Sequence, residues 1–171
     1  MMDVFVEQLI VRQKRGFEKA FRPLVLIFGF AAAGLLIFIG LLSGFIGAFF
    51  LAAGFGIGYA AVYASALFDI EYEYSITNGL FDIDRIVARR KRERLASFEC
   101  RDITAIGLYE GAGSVPANLT VYDATGGEGQ KYYMVVAGSK GSRVIIFEPN
   151  ERTLAAIKRF VPRSVQGASA L

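Results

Sequence analysis

PLVLIFGFAAAGLLIFIGLLSGFIGAFFLAAGFGIGYAAVYASALF, residues 23–68, holds no Asp, Glu, Lys, Arg or His in 46 positions. Its polar groups are Ser43, Ser65 and the hydroxyls of Tyr59 and Tyr63. As one helix it would reach about 69 Å, while a bilayer's hydrocarbon core is about 30 Å thick. Two passes fit, and Leu42-Ser43-Gly44 divides the run into two helices of roughly 20 residues. Backbone in hydrocarbon must satisfy its own hydrogen bonds, which selects a helical hairpin. The competing reading is a hairpin buried inside a soluble protein. The rest of a 171-residue chain is too small to cover two such helices on every side. The stretch therefore predicts a transmembrane helical hairpin.

Glycines 29, 34, 40, 44, 47, 54, 56 and 58 punctuate it. Gly40/Gly44 and Gly54/Gly58 are small-xxx-small pairs that let helices approach closely, either within the hairpin or between copies in a homo-oligomer. The absence of an ionisable group argues against a proton- or ion-coupled transporter. A simple oligomeric pore stays open as an alternative.

Residues 1–22 precede the hairpin. Val6, Ile10, Phe17 and Phe21 share a helical face by their spacing, which predicts an amphipathic helix in the headgroup region; a short flexible arm is the alternative. Arg12, Lys14, Arg15, Lys19 and Arg22 lie before the first span, and Arg85, Arg89, Arg90, Lys91, Arg92 and Arg94 follow the second. The turn between the spans has no cation. The positive-inside rule then predicts a multi-pass inner (plasma) membrane protein with both termini cytoplasmic.

The formal net charge is +3, and there is no histidine, which removes His-based acid–base catalysis, Ser-His-Asp triads and most zinc sites. Cys100 is the single cysteine, so neither an intrachain disulfide nor a thiolate metal cluster can form. It reads as a small core residue, with a reactive thiol as the less supported alternative. Asp82 and Asp84 share a strand face but read as solvated, not as a catalytic pair. Gly126-Gly127-Glu128-Gly129 lacks the Lys-Ser/Thr and following helix of a phosphate loop. No catalytic residue, metal or cofactor is expected, and the chain reads as a non-enzyme.

From residue 69 the pattern alternates with period two. Ile70, Tyr72, Tyr74 and Ile76 face one way, and Glu71, Glu73, Ser75 and Thr77 the other. Asn78-Gly79 then predicts a type I′ hairpin, with Ile76 opposite Phe81 and Tyr74 opposite Ile83. The same register sets Glu73 against Asp84, a repulsion that calls for a nearby arginine. Further strands are predicted near 95–100, 103–109, 118–122, 131–137 and 143–148, with a mobile loop over 110–117. Turns are expected at 125–129 and 139–142. Asn150 caps a terminal helix with a Leu154, Ile157, Val161 stripe, stopped by Pro162. Residues 163–171 read as a flexible tail.

The organisation predicted is thus 1–22 arm, 23–68 hairpin, 69–162 cytosolic β domain and 163–171 tail. Its fold class is α+β, a two-helix transmembrane hairpin followed by an antiparallel β barrel or sandwich with a C-terminal helix. EYEYSITNGLFDIDRI (71–86), KRERLASFECRDI (91–103) and FEPNERTLAAIKRFVPR (147–163) resemble an uncharacterised family of small bacterial membrane proteins with an N-terminal two-helix segment. More loosely, strand–ITNG–strand after a membrane hairpin is similar to bacterial pleckstrin-homology domains. The resemblance implies a pleckstrin-homology-like barrel and brings no activity or catalytic residues.

Arg89, Arg90, Lys91, Arg92 and Arg94 are the candidate contact residues, for anionic lipid headgroups or a protein partner. Charge that only sets topology is the alternative. Nucleic acid is not an expected partner, because the run lacks interleaved aromatics.

Overall fold

The computed structural model describes residues 4–14, 16–127, 129–138 and 141–166. They fall into two units, one running to Gln13 and resuming at Ile70, the other Lys14–Asp69.

In the helical unit, α1 spans Phe17–Leu42 and α2 spans Gly47–Ala66. At 1.5 Å per residue these are about 39 and 30 Å long, so each matches a bilayer core in length. Both are long and apolar enough to cross a membrane, and only 11% and 17% of their apolar windows are buried. Most of their apolar surface is exposed, and Phe38, Phe45, Phe49 and Phe55 all point outward. The break falls where the sequence put it, at Ser43-Gly44. Gly44 takes φ +56°, a left-handed conformation that glycine adopts without cost. At the base, Lys14 and Arg22 both reach Asp69 Oδ1, at 2.6 and 3.3 Å.

The other unit is a two-sheet β domain. One sheet has the order β1-β2-β3-β4: β1 (Phe5–Val11), β2 (Ile70–Thr77), β3 (Leu80–Val87) and β4 (Lys91–Glu99), all antiparallel. The second contains β5 (Ile103–Leu108), β6 (Thr120–Asp123), β7 (Tyr132–Val136) and β8 (Arg143–Phe147), in the order β5-β7-β8-β6. Here β6 pairs with β8 in parallel, a departure from the purely antiparallel domain expected. The β2–β3 register is the predicted one, and Asn78 (φ 50°) and Gly79 (φ 93°) form the left-handed turn that sets it.

The core lies between the sheets. Tyr74, Ile76, Phe81 and Ile83 meet Met134, Ile145 and Phe147 there, and Cys100 joins them fully buried. Burial pushes the Cys100 thiol up to about 12. Helix α3 (Glu151–Phe160) packs Ile157 into this core and is capped by Asn150, whose Oδ1 accepts the Thr153 N–H at 2.8 Å.

Residues 5–11 are not an amphipathic helix. Val6 and Ile10 are four apart, and that spacing puts them on one side of a strand as readily as of a helix. Pairing with β2 decides between the two. Val4 N–H donates to Asn78 Oδ1, Asn78 N–H donates to Val4 O, and Gly16 (φ 45°) separates the strand from α1. The arm is thus part of the β domain, with the helical unit inserted between β1 and β2. Residues 163–166, expected in a flexible tail, form a short helix, α4, whose Val165 is buried. Residues 167–171 lie outside the described residues, as do Glu128, Ser139 and Lys140 of the two predicted turns. The 110–117 segment carries a 3-10 turn in which Ser114 Oγ accepts the Glu110 N–H and donates to Gly111 O.

Candidate functional site

The basic run straddles the β3–β4 turn. Ala88 and Arg89 sit at φ 55° and 54°, left-handed values that cost a non-glycine residue about 1–2 kcal/mol each. Beyond the turn, Lys91, Arg92 and Arg94 belong to β4. The register set at the turn, Val87 against Lys91, runs unbroken through Ile86–Arg92 to Asp84–Arg94 and shifts only beyond that pair.

The arginines lie against carboxylates of β2 and β3. Arg89 Nε is 2.9 Å from Glu71 Oε1, and Arg92 Nη2 is 2.6 Å from Glu73 Oε2. Arg92 also approaches Asp84 Oδ2 at 3.7 Å, so one guanidinium offsets the predicted Glu73–Asp84 repulsion. Arg94 spans Asp82 at 2.7 Å and donates from Nε to Asp84. Hydrogen bonding to Asp84 holds the Arg94 guanidinium above its ordinary value. Lys91 Nζ is 2.5 Å from Glu93, whose carboxyl is held below the usual range by that bond.

Exposure is asymmetric. Arg89, Arg92 and Arg94 keep between 51% and 79% of their side-chain surface, while Glu71, Glu73 and Asp84 keep 12% or less. The acids are fixed in the sheet, and the arginines lie over them. Asp84 is buried and Asp82 partly covered, so the pair is not a fully solvated strand face; a buried carboxylate needs a partner, and Arg94 supplies it. Arg90 is exposed and makes no ion pair among the described residues. Glu71, Glu73, Asp82 and Asp84 share the face of Arg92 and Arg94, while Lys91 and Glu93 lie on the opposite face with Arg85, so around the turn six cations stand against five carboxylates and the formal charge is only +1.

The four glycines singled out in the hairpin part company. A side chain at Gly40 would meet Gly47 O at 2.9 Å, and one at Gly54 would meet Ala33 O at 2.9 Å. Both serve packing of α1 on α2. Gly44 is a turn former with open space around it, and Gly58 has ordinary room, so neither belongs to the tight contact. The seam is Ala33, Gly40, Gly47, Gly54 and Ala61, all buried and spaced by seven.

A groove of about 410 Å³ runs along Gln8–Val11, bounded by Gly126, Gly129 and Glu148–Asn150. Its polar groups serve one another. Gln8 Nε2 donates to Glu148 O, Gln8 Oε1 accepts from Asn150 N–H and Thr153 Oγ1, and the Glu148 carboxylate accepts from Gly126 and Gly127 N–H at 3.0 and 2.8 Å. The glycine-rich loop thus cradles an internal carboxylate. Sequence reading assigned no role to Gln8 or Glu148.

A family model described as bacterial PH-like domain (DUF6106) matches residues 2–167. No curated protein and no solved structure matches the chain.

Proposed function

The chain belongs to this family of bacterial PH-like domains, and on that premise we propose a two-pass membrane protein whose β domain is a non-catalytic binding module. Its contact surface is the β3–β4 turn with Arg89, Arg90, Lys91, Arg92 and Arg94, and its partner is the anionic inner leaflet. The observation that carries the reading is the pair of apolar helices, exposed along most of their length, inserted into a PH-like domain.

The β1–β2 pairing supports an even number of crossings. Gln13 and Ile70 flank neighbouring strands, so they share one side of any bilayer that α1 and α2 cross. The density of Lys and Arg outside the spans supports the cytoplasmic side. Arg89 and Arg90, both exposed at the β3–β4 turn, support headgroup contact there. The alternative of a pore built on Gly40 and Gly54 loses support, because both are used within the chain.

Two measurements test this. Alkaline carbonate should leave the protein in the membrane pellet, and release into the supernatant would overturn the spans. In lipid nanodiscs, amides of residues 87–92 should exchange more slowly with phosphatidylserine present than in phosphatidylcholine alone, and Arg90→Ala should reduce the difference.

A further inference from the structure

We propose that Glu71, Glu73, Asp82, Asp84 and Glu93 are a built-in counter-charge that sets how much anionic lipid the β3–β4 surface requires. This rests on the reading that the surface meets lipid headgroups. The acids are not incidental neighbours. Glu71, Glu73 and Asp84 are almost covered, each within 2.9 Å or less of a guanidinium nitrogen, and the arginines remain largely exposed above them. A headgroup approaching Arg89, Arg92 or Arg94 meets a cation that already has a carboxylate partner. Arg89 engages Glu71 through Nε, so its two terminal nitrogens are the ones left to turn toward a second anion.

With six cations, Arg85 among them, against five carboxylates, most of the long-range pull of the run is cancelled, and Arg90 at the turn is left to make the first contact. Recruitment then depends on a local density of negative headgroups high enough to share the paired arginines. The device has the logic of an autoinhibited surface, and it needs no moving segment: the competing anions sit on rigid strands. The left-handed backbone at Ala88 and Arg89 belongs to the same arrangement, since the Arg89–Glu71 pair ties the turn down to β2.

The test uses the full chain in nanodiscs with graded phosphatidylserine, read by amide exchange of residues 87–92. Glu71→Gln with Glu73→Gln removes two counter-charges while keeping side-chain shape. Each added net charge should strengthen contact about fivefold, the ratio that ~1 kcal/mol per charge near an anionic leaflet amounts to. The half-maximal phosphatidylserine content should fall accordingly. Protection of the β7 and β8 amides checks that the variant is folded. If it is not, Glu93→Gln, at an exposed position, carries the comparison.

A wild-type response to phosphatidylserine that the variants leave unchanged overturns the counter-charge and spares the contact surface. No response in wild type or in any folded variant overturns both. A response that appears or strengthens only when carboxylates are removed supports the counter-charge directly.

Discussion

Replacing residues 13–69 by Asn-Gly should convert this protein into a water-soluble β domain. Arg12 N–H donates to Ile70 O at 2.9 Å, so the chain leaves β1 and returns in β2 as adjacent, hydrogen-bonded residues. A two-residue turn of the kind already present at Asn78-Gly79 bridges that geometry. The excision also shortens the loop that must close in the unfolded chain from 57 residues to two. With closure entropy growing as (3/2)RT ln n, this favours the folded domain by about 2–3 kcal/mol. The assay is gel filtration in detergent-free buffer followed by amide exchange of β1 and β2. A monodisperse protein with protected β1 amides is expected. A companion chain of residues 70–171 should aggregate, because it exposes the β2 edge that β1 covers. Insolubility of the Asn-Gly chain, or unprotected β1 amides within a folded remainder, would refute the insertion argument.

Tyr74→Phe keeps the ring contacts with Phe81 and Phe147 but strands Ala124 O and Glu148 N–H, both bonded to the buried hydroxyl. A loss of about 2–4 kcal/mol is expected in denaturant unfolding of the soluble domain. In the hairpin, Gly54→Leu should lower the thermal midpoint in detergent, at a cost of about 1–3 kcal/mol or more. Gly56→Leu, with open space around the position, should leave the midpoint unchanged. Cys100 binds its proton more tightly folded, near 12, than unfolded, near an ordinary value of about 8.5. Its contribution is therefore intact below about pH 8.5 and is lost as pH rises toward 12, at up to about 1.4 kcal/mol per pH unit. Cys100→Ala should flatten the stability profile between pH 9 and 11 relative to wild type.

The parts legible in the sequence were those fixed by local chemistry. The charge-free run named both helices and their break, Asn78-Gly79 set the β2–β3 register, and Asn150 announced α3. That register foretold an arginine near Glu73 and Asp84. It did not foretell Arg94 on Asp84, which depends on a turn built on left-handed Ala88 and Arg89, residue types that do not advertise one. β1 was misread because Val6 and Ile10 satisfy either period, and because its partner strand lies beyond the helical unit. The parallel β6–β8 pair was out of reach for the same reason: four residues, TVYD, carry too little pattern to say which neighbour they join. The basic run was visible, but the neutralisation of its charge was not, since three of the acids look like the solvated side of a strand until the arginines are laid over them.

The position of the helices between two paired strands also orders events during synthesis. β1 leaves the ribosome first and has nothing to pair with until α1 and α2 have been made and β2 has emerged. On the two-pass reading proposed above, a chain that threads only one helix leaves β1 and β2 on opposite faces of the bilayer and the nascent sheet with a bare edge. Completion of the head would on that reading be a report on the anchor: β1 meets β2 only once both helices have been threaded and the chain has come back to the side of β1.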